Sequence, residues 1–270
     1  MLTKGKEGAN RTSLHQVVKS WSPWFWLSVD GRARIRNAWA ALGFNPDTAS
    51  VLRYELDMAL LRISCWFSVR HRRQVNSLQK EHDLKIHLGC GNVLFNGWVN
   101  VDCYPPPKSN DVEILVVDMR RRLPFSDASV MALFSEHFLE HLPLEIVRKH
   151  LLPEIRRILA PAGVVRLAVP NGEYFIKQYL ALKAGAPDPL FEANLTGETG
   201  MMALNNVVRG GGHCFLYDFD TMAMIMREAG FNDIAQVSSG DTQYEVFHGN
   251  DRTDEWRAAM SLYVEATVPG

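Results

Sequence analysis

Residues 85–102 read Lys-Ile-His-Leu-Gly-Cys-Gly-Asn-Val-Leu-Phe-Asn-Gly-Trp-Val-Asn-Val-Asp. Ile86 and Leu88 end a short β-type run, Gly89 and Gly91 allow a sharp turn and a close approach of backbone to a ligand, and Val99, Val101 and Asp102 suit a second strand ending in a carboxylate. A carboxylate at that strand end can accept hydrogen bonds from both hydroxyls of a ribose. Taken alone, the segment also reads as a β-hairpin with a glycine turn, since a short Gly-x-Gly is common.

The following segments bear on that choice. Val112 to Asp118 is a further apolar run ending in Asp, Leu123-Pro-Phe-Ser-Asp-Ala-Ser-Val130 follows, and Val130 to Ser135 reads as a fourth, buried strand. In this order and spacing, His-Leu-Gly-Cys-Gly (87–91), Trp-Val-Asn-Val-Asp (98–102), the 123–130 string and Ser-Glu-His-Phe-Leu-Glu-His-Leu (135–142) resemble the class I S-adenosylmethionine-dependent methyltransferases. The chain is most similar to a bacterial subgroup associated with surface-polysaccharide and glycan biosynthesis. The resemblance spans roughly residues 84–267 and leaves 1–80 outside it.

The resemblance implies an α/β fold: a Rossmann-like, mostly parallel sheet with an antiparallel last strand and helices on both faces. It further implies S-adenosylmethionine as cofactor, with Gly89, Cys90 and Gly91 passing under its methionine and ribose parts and Asp102 taking the ribose hydroxyls. Asp118 would meet the adenine amino group, with Met119 covering the ring, as a carboxylate and a thioether can do. Phe134 and Ser135, at the carboxyl end of the fourth strand, should face the amino-acid part, because ligands sit outside the carboxyl ends of parallel strands. The sequence departs from the wider fold at one place: only Asn92 to Gly97 separate Gly91 from Trp98, too few for the usual helix. That shortening argues against a dinucleotide site, which needs a helix N-terminus for pyrophosphate.

His137-Phe-Leu-Glu-His141 carries the sharpest local chemistry. If the chain turns helical there, His137, Glu140 and His141 share a face, and His213, in Gly210-Gly-Gly-His-Cys214, offers a fourth group. Such a set can bind Zn²⁺, Mn²⁺, Fe²⁺ or Mg²⁺. Small-RNA 2′-O-methyltransferases and some ubiquinone-pathway O-methyltransferases hold a divalent ion with Glu-x-x-Glu-His at this place; here His137 replaces the first Glu. Leu-Glu-His-Leu is also common in metal-free relatives, where Glu140 and His141 are structural. The string matches His-x-x-Glu-His of zinc peptidases too, but it follows a buried strand instead of lying in a helical core.

An alcohol acceptor needs help losing its proton, and His137 and His213 are the candidates for that role, with His141 as ligand or orienting group. The expected function is an O-methyltransferase acting on a sugar hydroxyl of a glycan or of a nucleotide- or lipid-linked intermediate. The alternatives are methylation of a small aromatic or lipid-like acceptor, or a cofactor-binding partner subunit without turnover.

Composition sets the outer bounds. A chain of 270 residues with 47% hydrophobic content can bury a real core, and a net charge of −1 gives no general pull toward nucleic acid or anionic lipid. Cys65, Cys90, Cys103 and Cys214 form no Cys-x-x-Cys pair, which suits a reducing cytoplasm better than a disulfide framework. No stretch has the roughly 20 apolar residues of a membrane span, and the start has no signal-peptide core. Two regions are expected: a helical N-terminal extension, 1–80, and a cofactor-binding domain, 81–270, with an inserted loop at about 185–215.

Within the extension, Leu52, Leu56, Ala59, Leu60, Ile63 and Phe67 recur at helical spacing and would form one apolar face. The aromatic patch from Trp21 to Trp26 can pack on the main domain or on a second copy of the chain, close over substrate, or touch a membrane surface. A homodimer through these helices is one arrangement they allow. Arg32, Arg34, Arg36, Arg70, His71, Arg72 and Arg73 could meet substrate phosphates or form a solvated helix face.

Overall fold

The computed structural model describes residues 41–43, 46–104, 112, 114–193, 199–252 and 254–270. The expectations for the Trp21–Trp26 patch and for Arg32, Arg34 and Arg36 fall outside them. The chain divides into two compact units between Gln74 and Val75.

In the first unit, α1 (Pro46–Phe67) is followed by α2 (Val69–Leu78), which runs on into the second. Leu52, Leu56, Ile63 and Phe67 are all exposed, whereas Met58 and Leu61 are buried. Helical spacing thus marks residues that share a face and says nothing of what covers it. Arg70, Arg72 and Arg73 are exposed, whereas His71 between them is buried and so leaves the basic face. No helix among the described residues is long and apolar enough to cross a membrane.

The second unit is built on a seven-stranded sheet in the order β3-β2-β1-β4-β5-β7-β6. Its strands are β1 (Leu84–Leu88), β2 (Val99–Asp102), β3 (Ile114–Val116), β4 (Val130–Glu136), β5 (Leu159–Pro170), β6 (Asn232–Val237) and β7 (Ser261–Thr267). The pairs among β1 to β5 are parallel, and β7 runs antiparallel to both β5 and β6. This is the mostly parallel sheet with an antiparallel last strand that the resemblance implied. β1 and β4 hold the centre, where Ile86, Leu88 and Leu133 are wholly buried, as expected of strands covered on both faces.

As the spacing required, no helix stands between β1 and β2. Asn100 organises the short connection instead. Its Oδ1 accepts from the Phe95 amide at 2.9 Å, and its Nδ2 donates to the carbonyls of Phe95 and Trp98. His87 stacks on Phe95 with ring centroids 4.1 Å apart. Burial pushes the His87 pKa down to about 4, so the folded protein holds fewer protons than the unfolded chain between about pH 6.5 and 4. This contribution to stability, about 3 kcal/mol, is present above pH 6.5 and lost as the pH falls through 4. Urea titrations at pH 7 and pH 4.5 should therefore show a smaller acid-side loss in His87→Gln than in the parent protein.

The segment between β4 and β5 is helical but not uniform. α3 (Leu144–Ile146) passes through a wider π turn (Val147–Leu151) into α4 (Leu152–Ile158). Pro153 has no N–H to give the Lys149 carbonyl, so the regular ladder cannot pass through that point. α5 (Gly172–Lys183) follows β5, and α8 (Phe219–Glu228) precedes β6. The segment taken for a loop at 185–215 is largely helical in its described part, with α6 (Pro189–Ala193) and α7 (Gly200–Arg209), the latter capped by the Thr199 hydroxyl. α9 (Glu255–Met260) leads directly into β7.

On β5, Arg166 is fully buried, and all five of its N–H donors are engaged. Nε and Nη2 take the two Asp251 oxygens at 2.9 and 2.5 Å, Nη1 takes Glu265 at 2.5 Å and the Asp241 carbonyl, and Nη2 also reaches the Ser238 carbonyl. One side chain thereby ties the 238–251 connection to the sheet.

Candidate active site

The loops that leave β1, β2, β4 and β5 all open at the carboxyl edge of the parallel strands, the end where α/β sheets bind ligands. At the end of β1 the amides of Gly89 and Cys90 both donate to the Val101 carbonyl, at 2.9 and 3.1 Å, which closes the turn onto β2. Gly89 and Gly91 have positive φ angles of 70° and 51°. A Cβ at Gly89 would fall on the Phe138 side chain, whereas one at Gly91 would meet nothing within 4 Å. Gly89 is thus required by packing, while Gly91 leaves open space beside the turn. Gly89→Ala should cost roughly 1–3 kcal/mol through its backbone and the overpacking. Denaturant unfolding should also find the Gly89→Ala/Phe138→Ala pair less destabilised than the sum of the single changes.

Asp102 ends β2 with its Oδ2 accepting from the Gly91 amide at 2.8 Å and its Oδ1 from the Tyr104 amide at 2.9 Å. Each oxygen keeps a further lone pair for a ligand. Cys90 has a buried side chain whose pKa burial pushes up to about 12, with Asp102 adding to the effect, so this position can contribute only backbone and bulk. Asp118 is buried and already engaged: Arg120 donates its amide and Nε to Oδ1 and Nη2 to Oδ2, at 3.0 to 3.2 Å. An adenine amino group would have to share that carboxylate with the guanidinium. Met119 is buried in the main core. Phe134 belongs to an aromatic cluster with His87, Phe95 and Phe247, so its ring packs inside the protein. Ser135 has a buried hydroxyl without a hydrogen-bond partner.

Past β4 the chain does not enter a helix at once. His137 stands at φ 51°, and a 3₁₀ turn covers only Leu139–His141. His137 therefore leaves the face that helical spacing would have given it. Its Nε2 meets the Ser261 hydroxyl at 2.9 Å and its Nδ1 meets Glu140 Oε1 at 3.2 Å. The structure brings together Glu140, His141 and His213, whose donor atoms lie within 4.8 Å of one another. The 210s segment is held there by the Cys214 amide, which donates to the Glu140 carbonyl at 2.6 Å. The His213 Nδ1–H donates to the Val207 carbonyl at 2.6 Å, which leaves Nε2 as the ring nitrogen turned to other partners. Glu140 is wholly buried, and its Oε2 has no hydrogen-bond partner. Phe138, against Gly89, brings this turn into contact with the glycine turn.

Sequence reading missed the groups that gather beside the end of β4 from 80 and more residues away. Arg252 Nε lies 3.1 Å from Glu136 Oε2, and Ser261 reaches His137. No local spacing signals either contact. An open depression lined by Gln79 and Arg122 to Asp127 lies at the opposite, amino end of the strands and has no part in this site.

A family profile described as "Methyltransferase domain" matches residues 99–167, the span from β2 to β5. No curated protein matches the sequence. Among solved structures, the chain is similar to a SAM-dependent methyltransferase from Archaeoglobus fulgidus, at 14% identity and a TM-score of 0.43, covering 73% of this chain and 91% of that one. It is also similar to phosphoethanolamine N-methyltransferase 2 from Haemonchus contortus, solved with S-adenosylmethionine, at 14% identity and a TM-score of 0.43, covering 73% and 53%. A third similar structure is described as a "possible exported protein" from Bordetella parapertussis, at 15% identity and a TM-score of 0.41, covering 74% and 67%. The span of the sheet from β2 to β5 is thus the part of this chain that matches a methyltransferase domain.

Proposed function

We propose that this chain is an S-adenosylmethionine-dependent O-methyltransferase that acts on a sugar hydroxyl of a glycan or of a nucleotide- or lipid-linked intermediate. The observation that carries the reading is the Gly89–Gly91 turn locked onto Asp102, in contact with a histidine-bearing turn at the carboxyl edge of the sheet. The cofactor supplies a methyl group on a sulfonium. In this reading Asp102 orients the ribose, and the open space beside Gly91 admits the ligand against backbone. Methyl transfer in line needs alignment and exclusion of water above all. A sugar hydroxyl must also lose its proton, which in this reading His213 Nε2 takes while Nδ1–H stays on the Val207 carbonyl.

The same edge supports a divalent ion as part of this reading. Glu140, His141 and His213 would hold it, their donor types suit Zn²⁺ or Mn²⁺, and the unpartnered, buried Glu140 Oε2 fits a missing positive partner. The ion would act as a Lewis acid that lowers the pKa of the acceptor hydroxyl. His137 would then be a positioning residue, orienting Glu140 through Nδ1, in place of the ligand role that its spacing suggested.

Calorimetric titration of metal-stripped protein with S-adenosylhomocysteine, repeated with Zn²⁺, Mn²⁺ or Mg²⁺, tests both parts. Micromolar binding is the expected result for the cofactor, and its absence under every condition overturns the function. For the ion, the expected result is saturable Zn²⁺ or Mn²⁺ binding that His213→Ala weakens by roughly tenfold or more, the effect of losing one ligand. Equal binding by that variant overturns the metal reading and leaves His213 as a base alone.

A further inference from the structure

The alternation of side chains places Glu136 on β4, Ala168 on β5 and Tyr263 on β7 side by side on one face, because the three are in register. Arg166 and Glu265 share that face one step further along, and their ties to the 238–251 connection deliver Arg252 to Glu136. Arg257 comes from α9, which enters β7 at Ser261. Both guanidiniums and His137 lie near enough to Glu136 to act on its charge, with Asp251 opposing them.

This polar group is unfinished. Glu136 is 5% exposed and its Oε1 has no hydrogen-bond partner. Arg252 Nε sits 3.1 Å from Glu136 Oε2 without the alignment of a hydrogen bond, and Arg257 Nε, 3.4 Å from Asp254, is in the same position. Each such buried group forfeits about 1–3 kcal/mol, so several together call for a partner that is not protein. Asp251 is committed to Arg166, and Asp254 is mostly exposed, so two cations face a single buried carboxylate. The arginine side chains keep 31% and 22% of their exposure and can be reached from solvent.

Resting on the methyltransferase reading, we infer that Arg252 and Arg257 form the subsite for an anionic group of the acceptor, a phosphate or a carboxylate. Guanidiniums suit such planar or tetrahedral anions because their N–H pairs match two oxygens at once. The subsite adjoins His137 through Ser261 and so lies beside the turn that carries Glu140, His141 and the neighbouring His213. Neutral sugars lack the anion and should bind poorly, which narrows the acceptor to an acidic or phosphorylated sugar.

The test is titration of the full chain, saturated with S-adenosylhomocysteine, with glucose 1-phosphate, glucuronate and glucose, followed by calorimetry or ligand-observed NMR. The expected result is binding of at least one anionic sugar with glucose bound at least about tenfold more weakly, the value of one charge-assisted hydrogen bond. Which anion binds identifies phosphate or carboxylate as the group recognised. Arg252→Gln and Arg257→Gln should each lose about tenfold in that affinity and keep their affinity for S-adenosylhomocysteine. Arg252→Lys, which keeps the charge, controls for loss of folding. Equal binding of all three sugars, no binding of any, or unchanged affinity in both Gln variants overturns the subsite. Asp102→Ala separates the two readings: it should weaken cofactor binding while leaving anionic-sugar binding in place.

Discussion

Asp102→Ala should lower the affinity for S-adenosylhomocysteine by roughly ten- to a hundredfold, the 1.5–3 kcal/mol of hydrogen bonds to an ionised group. The carboxylate has two duties, and both are lost. It would hold the ribose hydroxyls, and it already anchors the Gly91 and Tyr104 amides that shape the turn. Asp102→Asn separates the duties: its one remaining carbonyl oxygen can keep one amide but cannot replace two charged acceptors, so an intermediate loss is expected. Unchanged affinity in Asp102→Ala would remove the ribose assignment, whatever the fold.

A larger effect on stability is expected from Arg166→Met, of about 3–5 kcal/mol by urea unfolding, the loss typical of breaking a buried ion pair. Removal of the guanidinium leaves Asp251 and Glu265 buried without their cation and frees the carbonyls of Ser238 and Asp241. Combining Arg166→Met with Glu265→Gln and Asp251→Asn should recover much of that loss, since the uncompensated charges are then gone. Equal instability of the single and triple variants would show that packing of the Arg166 stem outweighs its charge.

The parts of the fold that were legible in the sequence share one property: their signal is local. Ile86 and Leu88 before Gly89, and Val99 and Val101 before Asp102, announce strands by alternation and ends by residue type. The lack of room between Gly91 and Trp98 excluded a helix by counting alone. Where the reading went astray, a tertiary contact had overridden a local pattern. The spacing of His137, Glu140 and His141 suggested one helical face, but His137 takes a positive φ and turns to Ser261, a residue 124 positions away. The 185–215 segment looked like a loop for its Gly and Pro content, yet Thr199 caps a helix within it. Phe134 stood at the right strand end for a ligand, but its ring went to the aromatic cluster around Phe247.

The sequence by itself determined the strand order's ingredients, the glycine turn and the terminal Asp102, because the physics that shapes them acts over a few neighbouring residues. Only the tertiary structure decided which histidines meet, that Glu140, His141 and His213 form the cluster without His137, and that Arg252 and Arg257 stand beside Glu136. Those groups lie on separate elements, and their convergence depends on the register of β4, β5 and β7 and on one buried arginine holding a distant connection in place. Register and long-range ion pairing are properties of the packed sheet, and no periodicity along the chain encodes them.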